Sequence, residues 1–330
     1  MGIKFIYKIL LLILPFTPIV FLYTILDPFK VIYKRSDYYA NDGTVKNMDF
    51  IATEMFLKHY DEKKFDSFIF GSSRTEAFKA VRWKKFITGT PFHFHASGEN
   101  IWGIAKKIEF LSEKKVPIKN ALILLDKSVL ESTVNLKTII GIKHPISTKT
   151  SWEAFHLKYF KAFFKEAFFI KFIKLKYFGG YDDPRLFDMR KFIYDESTND
   201  VYYEWFDEQI RNDSVKFFTD NYELISTKTK DTIYEKPAIN ESNKVYLTQI
   251  AKVLKDNNTN FKIVISPLKD RLFFNKTDLK VLERIFGKEH IYDFSGINYF
   301  TSQIYHYYDG ASHFRPFIAD SMLKVIYKNK

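Results

Sequence analysis

Phe68-Ile69-Phe70-Gly71-Ser72-Ser73-Arg74 is the stretch on which the reading of this chain turns. Asp66 to Phe70 has the apolar run of a short strand, and the glycine that follows permits a sharp turn and close approach of another group. A serine hydroxyl placed there stands at the carboxyl end of a strand, where open α/β sheets bind their ligands. Outward from this stretch the same grammar repeats. Pro91 to His95 and Ala121 to Leu125 read as strands two and three, with helical segments near 75–86 and 99–114. Later, a helix near 243–256 leads to strand Phe261 to Ser266, and a helix near 277–286 to strand His290 to Phe294. A last helix starts at Pro316, a residue suited to a first helical position. Near-continuous apolar strands separated by helices predict an α/β fold, a parallel sheet covered on both faces in three layers of the flavodoxin-like kind.

Tyr308-Asp309-Gly-Ala-Ser-His313, near the other end, supplies an acid and an imidazole. Serine attacks a carbonyl carbon well only when a base takes its proton, and the base needs a partner that holds its ring. Ser73, His313 and Asp309 fill those three roles, with the first amides after the turn aimed at developing negative charge. Each residue has a plainer explanation as well. Ser73 suits a helix cap, Asp309 suits a turn before Gly310, and His313 suits stacking on Phe314 or Tyr308. Arg74 reads either as a group that orients an anion at the site mouth or as an exposed ion pair. His93 and His95 lie two apart on one strand face, and with no carboxylate or cysteine at ligand spacing they read as packed strand residues rather than a metal pair.

These blocks resemble the SGNH/GDSL hydrolase family, in its membrane-anchored bacterial DltD-like and alginate-acetylation-like branch, over roughly residues 64–128 and 243–328. The resemblance places the nucleophile on Ser73 rather than Ser72, and an oxyanion-hole glycine on Gly98 within His95-Ala-Ser-Gly98-Glu-Asn100. Two departures stand out. The family's last block is Asp-x-x-His, whereas three residues separate Asp309 from His313, which leaves Asp293 as a second candidate acid. Its usual asparagine after strand three is replaced in Leu125-Asp126-Lys127, and a carboxylate donates no hydrogen bond, which makes Asn100 the alternative side-chain donor. The resemblance implies an extracytoplasmic serine esterase or O-acyltransferase acting on acetyl or other acyl esters of a cell-envelope polysaccharide. Its partners would be the acylated glycan and a membrane-bound O-acyltransferase, with no cofactor or metal. The alternative is a catalytically degenerate protein of the same fold that binds a glycan or an acyltransferase.

Composition bounds these readings. A chain of 330 residues with 46% hydrophobic content buries a sizeable core, and the absence of cysteine excludes disulfides and thiolate metal sites. A net charge of +12 favours anionic surroundings such as lipid headgroups. No zinc-finger, RNP or helix-turn-helix signature supports nucleic acid as the partner. Ile9 to Leu26 is an uncharged run of 18 residues. As a helix it spans about 27 Å, against roughly 30 Å of bilayer hydrocarbon. This predicts an uncleaved membrane anchor within residues 1–35, with a buried amphipathic or core helix as the alternative reading of the run, followed by one large domain over 36–330; the resemblance implies that this domain is hydrolase-like and that the membrane is the bacterial cytoplasmic membrane. Residues 131–240 then form a helical insertion between strands three and four. From Lys158 to Lys176 that insertion holds six lysines and one acid among repeated phenylalanines. The segment suits either a membrane-surface helix or a hairpin packed on the domain with lysines on its wet side. Tyr202-Tyr203-Glu204-Trp205 suits a carbohydrate groove or a core.

Overall fold

A computed structural model of the chain describes residues 8, 14, 17–132, 138–165, 168–179, 187–222 and 231–328. They fall into two compact units, Met1–Lys46 with Thr150–Arg190, and Asn47–Lys149 with Lys191–Lys330. Residues 36–46, expected to open the hydrolase-like domain, thus group with the N-terminal segment, and so does the middle of the expected 131–240 insertion.

The larger unit is built on five parallel strands: β1 (Ser67–Phe70), β2 (Pro91–His93), β3 (Asn120–Leu125), β6 (Asn260–Ile265) and β7 (Ile291–Asp293), in the order β2-β1-β3-β6-β7. The long helices around it are α2 (Met48–Lys63), α3 (Ile101–Glu113), α7 (Glu241–Asp256), α8 (Lys276–Phe286) and α9 (Pro316–Ile326). This strand order is compatible with a flavodoxin-like fold, and the order reverses between β1 and β3, the place where such sheets open a crevice. Every residue of β1 and β3 is buried, which explains why the two read as unbroken apolar runs.

Alternation sends the side chains to opposite faces. Phe68 packs with Phe56 of α2 and with Phe94 on one face. Ile69, Leu122 and Leu124 join Trp83, Ile318, Met322 and Leu323 on the other. α3 follows its sequence closely, with Ile104, Ile108 and Leu111 buried at helical spacing and the Asn100 side chain accepting from Gly103 N at 2.9 Å.

Two local expectations change. The helix expected near 75–86 is instead a 3-10 turn at Ser73–Ala77 followed by a single α-turn at Ala80–Trp83. Ala80 N is held by the Asp200 carboxylate at 2.8 Å, so a partner distant in sequence resets the chain there. The insertion is also not wholly helical. It carries an antiparallel hairpin of β4 (Ile193–Asp195) and β5 (Asp200–Tyr202), followed by α6 (Glu204–Asn212). The hairpin tip covers the β2 edge, with His93 N donating to Thr198 O at 2.8 Å and the Asn199 side chain donating to His93 O at 2.6 Å.

Behind α3 four charges are buried together. Lys107 Nζ lies 2.6 Å from Glu99 and 3.0 Å from Asp49, and Lys143 Nζ lies 3.3 Å from Asp49 and also pairs with Glu99. Gly103 makes room for them, since a Cβ there would fall 2.2 Å from Glu99 Oε1.

Of the expected membrane anchor, residues 9–13 and 15–16 lie outside the described residues. Its carboxyl-terminal part is the ten-residue helix α1 (Thr17–Leu26). Among the described residues no helix is long and apolar enough to cross a membrane. The basic aromatic segment forms two helices, α4 (Trp152–Phe164) and α5 (Phe168–Phe178), in the same unit as α1.

Gly71 fixes the exit from β1. Its φ is +145°, and an added Cβ would sit 2.7 Å from Thr75 Cγ2 and 2.9 Å from Leu124 O. Gly71→Ala is therefore expected to lower stability by about 2–4 kcal/mol, read as a fall in the urea midpoint with an unchanged slope.

Candidate active site

Ser73 is the first residue of the 3-10 turn, and its Oγ lies 2.8 Å from His313 Nε2 across 240 residues of sequence. His313 Nδ1 lies 2.7 Å from Asp309 Oδ2. An ionised carboxylate only accepts, so Nδ1 carries the proton, and Nε2 of the neutral ring is left to accept from the Ser73 hydroxyl. The three side chains form one relay, Asp309 to His313 to Ser73.

The extra residue between acid and base is absorbed by the backbone. Asp309 Oδ1 accepts from Ala311 N at 2.9 Å and from His313 N at 3.3 Å, and Ser312 takes a left-handed conformation with φ +63°. The loop turns on its own aspartate, and His313 returns over it. Burial pushes the Asp309 carboxyl up, but the His313 ring and the two amides outweigh burial and hold it below the ordinary range. Asp293, the other candidate acid, caps the end of β7, where it accepts from Ser295 N at 2.8 Å. Ser72 is buried, and its Oγ has no hydrogen-bond partner among the described residues.

Asp126 does not stand at the place of an oxyanion donor. It caps the turn Lys127–Glu131, accepting from Val129 N at 3.2 Å and from the Ser128 hydroxyl, and it pairs with Arg74 Nη1 at 2.6 Å. Arg74 also donates through Nε to Ala311 O at 3.1 Å. Read either as an orienting group at the site mouth or as an exposed ion pair, Arg74 forms a partly buried ion pair that ties the Ser73 turn to the histidine loop, and it also lines the cleft. Ala96 N donates to Gly71 O at 3.2 Å, which runs the loop containing Gly98 beside the Ser73 turn. Gly98 itself is exposed, with φ +61°. Asn100 is buried and its side-chain oxygen serves the α3 cap, so the structure does not bring it into the cleft.

That cleft is a narrow cavity of about 20 Å³, space for roughly one water. Ser73, His313, Tyr203, Tyr308 and Asp207 line it, with Glu76 and Lys79 as further polar groups. Tyr203 presents its ring to His313 at 5.9 Å and to Tyr308 at 5.2 Å, and Tyr308 donates to Asp207 at 2.8 Å. The tyrosine pair read as groove or core is thus part of the wall.

Sequence reasoning missed Glu76, Lys79 and Asp207. Three residues from Ser73 in a 3-10 turn is one full turn, so Glu76 returns to the side of Ser73, a spacing legible only once the turn type is known. Burial raises the Glu76 carboxyl, but the His95 imidazole 3.1 Å away, Tyr203 and His313 bring it down to about 2. Burial lowers Lys79 to about 8 against the pull of Asp200 and Glu76, and its ammonium is held by the carbonyls of Glu76 and Val201. His93 bonds Thr75 at 2.9 Å and Asp200 at 3.2 Å, and burial together with His95 lowers it to about 4. His93, at the end of β2, and His95, just beyond it, therefore brace the turn that carries Ser73.

No protein-family model and no curated protein matches this sequence.

A Ser-His-Asp relay at the carboxyl ends of parallel strands can perform nucleophilic acyl transfer. Asp309→Asn keeps the shape of the acid and lets His313 take the wrong tautomer. It is expected to lower kcat for an activated ester by about four orders of magnitude while leaving KM little changed.

Proposed function

We propose that this chain is a membrane-anchored, extracytoplasmic serine esterase or O-acyltransferase acting on acyl esters, acetyl foremost, of a cell-envelope polysaccharide. The 2.8 Å contact between Ser73 and His313, with Asp309 behind it, carries the reading. Ser73 Oγ attacks the acyl carbon as its proton passes to His313 Nε2. His313 returns that proton to the departing sugar oxygen, and the acyl group stays on Ser73. A water or an acceptor hydroxyl, giving its proton to His313, then attacks the acyl carbon, and His313 passes that proton to Ser73 Oγ as the acyl bond to it breaks. The Ser73 and Gly98 amides would hold the oxyanion. Tyr202, Tyr203 and Asp207 along the cleft wall suit a sugar. The uncharged run of residues 9–26 would anchor the chain.

The glycan-binding alternative drew its support from Asp126 and from the spacing of Asp309 and His313. With Asp126 bonded to Arg74, and the turn at Ser312 carrying Asp309 to His313, neither feature opposes the enzyme. Full-length protein given an O-acetylated glycan is expected to release acetate and, quenched in acid during turnover, to carry an acetyl group on the peptide containing Ser73. Tight binding of the same glycan with no acetate released would overturn the enzymatic reading and support the alternative.

A further inference from the structure

The two helices α4 and α5 bury one stripe and expose another that is itself partly apolar. On α4 the buried residues are Phe155, Tyr159 and Phe163, at i, i+4 and i+8. Leu157, Lys161 and Phe164 share the exposed stripe at i, i+4 and i+7. α5 repeats the arrangement, with Phe168 and Phe172 buried and Ile170, Lys174 and Tyr177 on the exposed side. Ile170 is 64% exposed and Phe178 is 80% exposed. A hairpin made only to present lysines to water would not place these side chains there, and clustered exposed apolar groups mark a binding surface.

What covers this face is indicated by its charge and its neighbour. Lys158 to Lys176 carries six lysines and one acid, and lysines can run their stems along an apolar surface while the ammonium reaches phosphate. The buried stripe packs on the end of the apolar N-terminal run. Tyr23 of α1 meets Phe160 and Phe163, both at 5.2 Å, and Phe29 just beyond α1 stacks on Phe168 at 4.7 Å. The hairpin is thus fixed beside the segment read as the anchor. α1 itself exposes Phe21 and Ile25.

We infer that the exposed face of α4 and α5 lies on an anionic phospholipid surface, with Leu157, Phe164, Ile170, Tyr177 and Phe178 at the level of the headgroups and Lys158 and Lys161 on their phosphates. The inference extends the anchored reading above and is independent of the chemistry at Ser73.

The chain has no cysteine, so single cysteines can carry an environment-sensitive fluorophore. Full-length Phe164→Cys and Ile170→Cys, labelled and reconstituted into vesicles of phosphatidylglycerol and phosphatidylcholine, are expected to emit further to the blue than in detergent and to be quenched by headgroup-proximal spin-labelled lipid. The same label at Val245→Cys, an exposed site on α7, is expected to stay unquenched. In the Lys158→Glu/Lys161→Glu background, quenching at Phe164→Cys should fall, each lysine removed weakening membrane contact about fivefold. Carbonate extraction of the same vesicles reads the anchor separately. Extraction-resistant protein with unquenched labels overturns the inference and leaves the anchor. Extractable protein with quenched labels supports the inference and overturns the anchor. Equal quenching at Val245→Cys, or in vesicles of phosphatidylcholine alone, overturns it as well.

Discussion

Ser73→Ala is expected to lower hydrolysis of p-nitrophenyl acetate by about four to six orders of magnitude in kcat, to the level left by binding and oxyanion contacts alone. The size of the effect follows from the relay: without Oγ no acyl-enzyme forms, and His313 and Asp309 have nothing to activate. His313→Ala should cost nearly as much, and the double variant little more than either, because the residues act as one unit. Ser72→Ala separates position from composition. Its hydroxyl is buried without a partner among the described residues, so activity should remain close to that of the parent, with stability unchanged or slightly higher. A loss at Ser72→Ala comparable to that at Ser73→Ala would reassign the nucleophile. Steady-state kinetics on folded variants, checked by circular dichroism, decides between these outcomes.

Lys107→Met is expected to destabilise the larger unit by about 3–5 kcal/mol, because it leaves Asp49 and Glu99 buried with a single remaining cation. Burial alone would raise Asp49, but Lys107 and Lys143 beside it hold its carboxyl well below the usual range. Burial likewise opposes the charge on Lys143, yet Glu99 and Asp49 raise it. The depressed acid contributes stability above its unfolded value and loses it as pH falls. The raised base contributes below its unfolded value and loses it as pH rises. Asp49 and Lys143 should therefore stabilise the fold most between about pH 4 and about pH 10. In Lys107→Met the deficit should shrink at acid pH, as the surplus carboxylate takes a proton. Adding Glu99→Gln should recover part of the loss at neutral pH. Urea denaturation across pH tests this, and an equal deficit in the single and double variants at every pH would assign the effect to packing alone.

How far the sequence carried these conclusions depends on the kind of residue. The parallel sheet was legible because strands buried on both faces must be apolar throughout, as Phe68-Ile69-Phe70 and Ala121 to Leu125 are. The meeting of Ser73 and His313 was legible because few residue types suit the roles of nucleophile and base, and Gly71 ahead of the serines marked the turn. Asp309 was chosen for lying within one loop of His313, with Asp293 kept as a second candidate, but the geometry that carries it across the extra residue was not legible. It rests on the left-handed Ser312 and on two amides turned onto Asp309 Oδ1, which spacing rules do not contain. The 3-10 turn in place of a helix after Ser73 was hidden because the group that resets it, Asp200, lies 120 residues away. β4 and β5 have only three residues each, too few for an alternation to show. Lys107 and Lys143 were illegible for the opposite reason, since lysine in sequence reads as surface and only the fold supplies Asp49 and Glu99 as partners.

The measurement that bears most directly on the central claim is stoichiometric labelling of the full-length protein with a fluorophosphonate, followed by peptide mass mapping. The relay predicts one adduct per chain, on Ser73. Labelling should be lost in Ser73→Ala, strongly slowed in His313→Ala and retained in Ser72→Ala. An unlabelled folded protein, or an adduct on any other residue, would contradict the assignment of Ser73 as a nucleophile activated by His313.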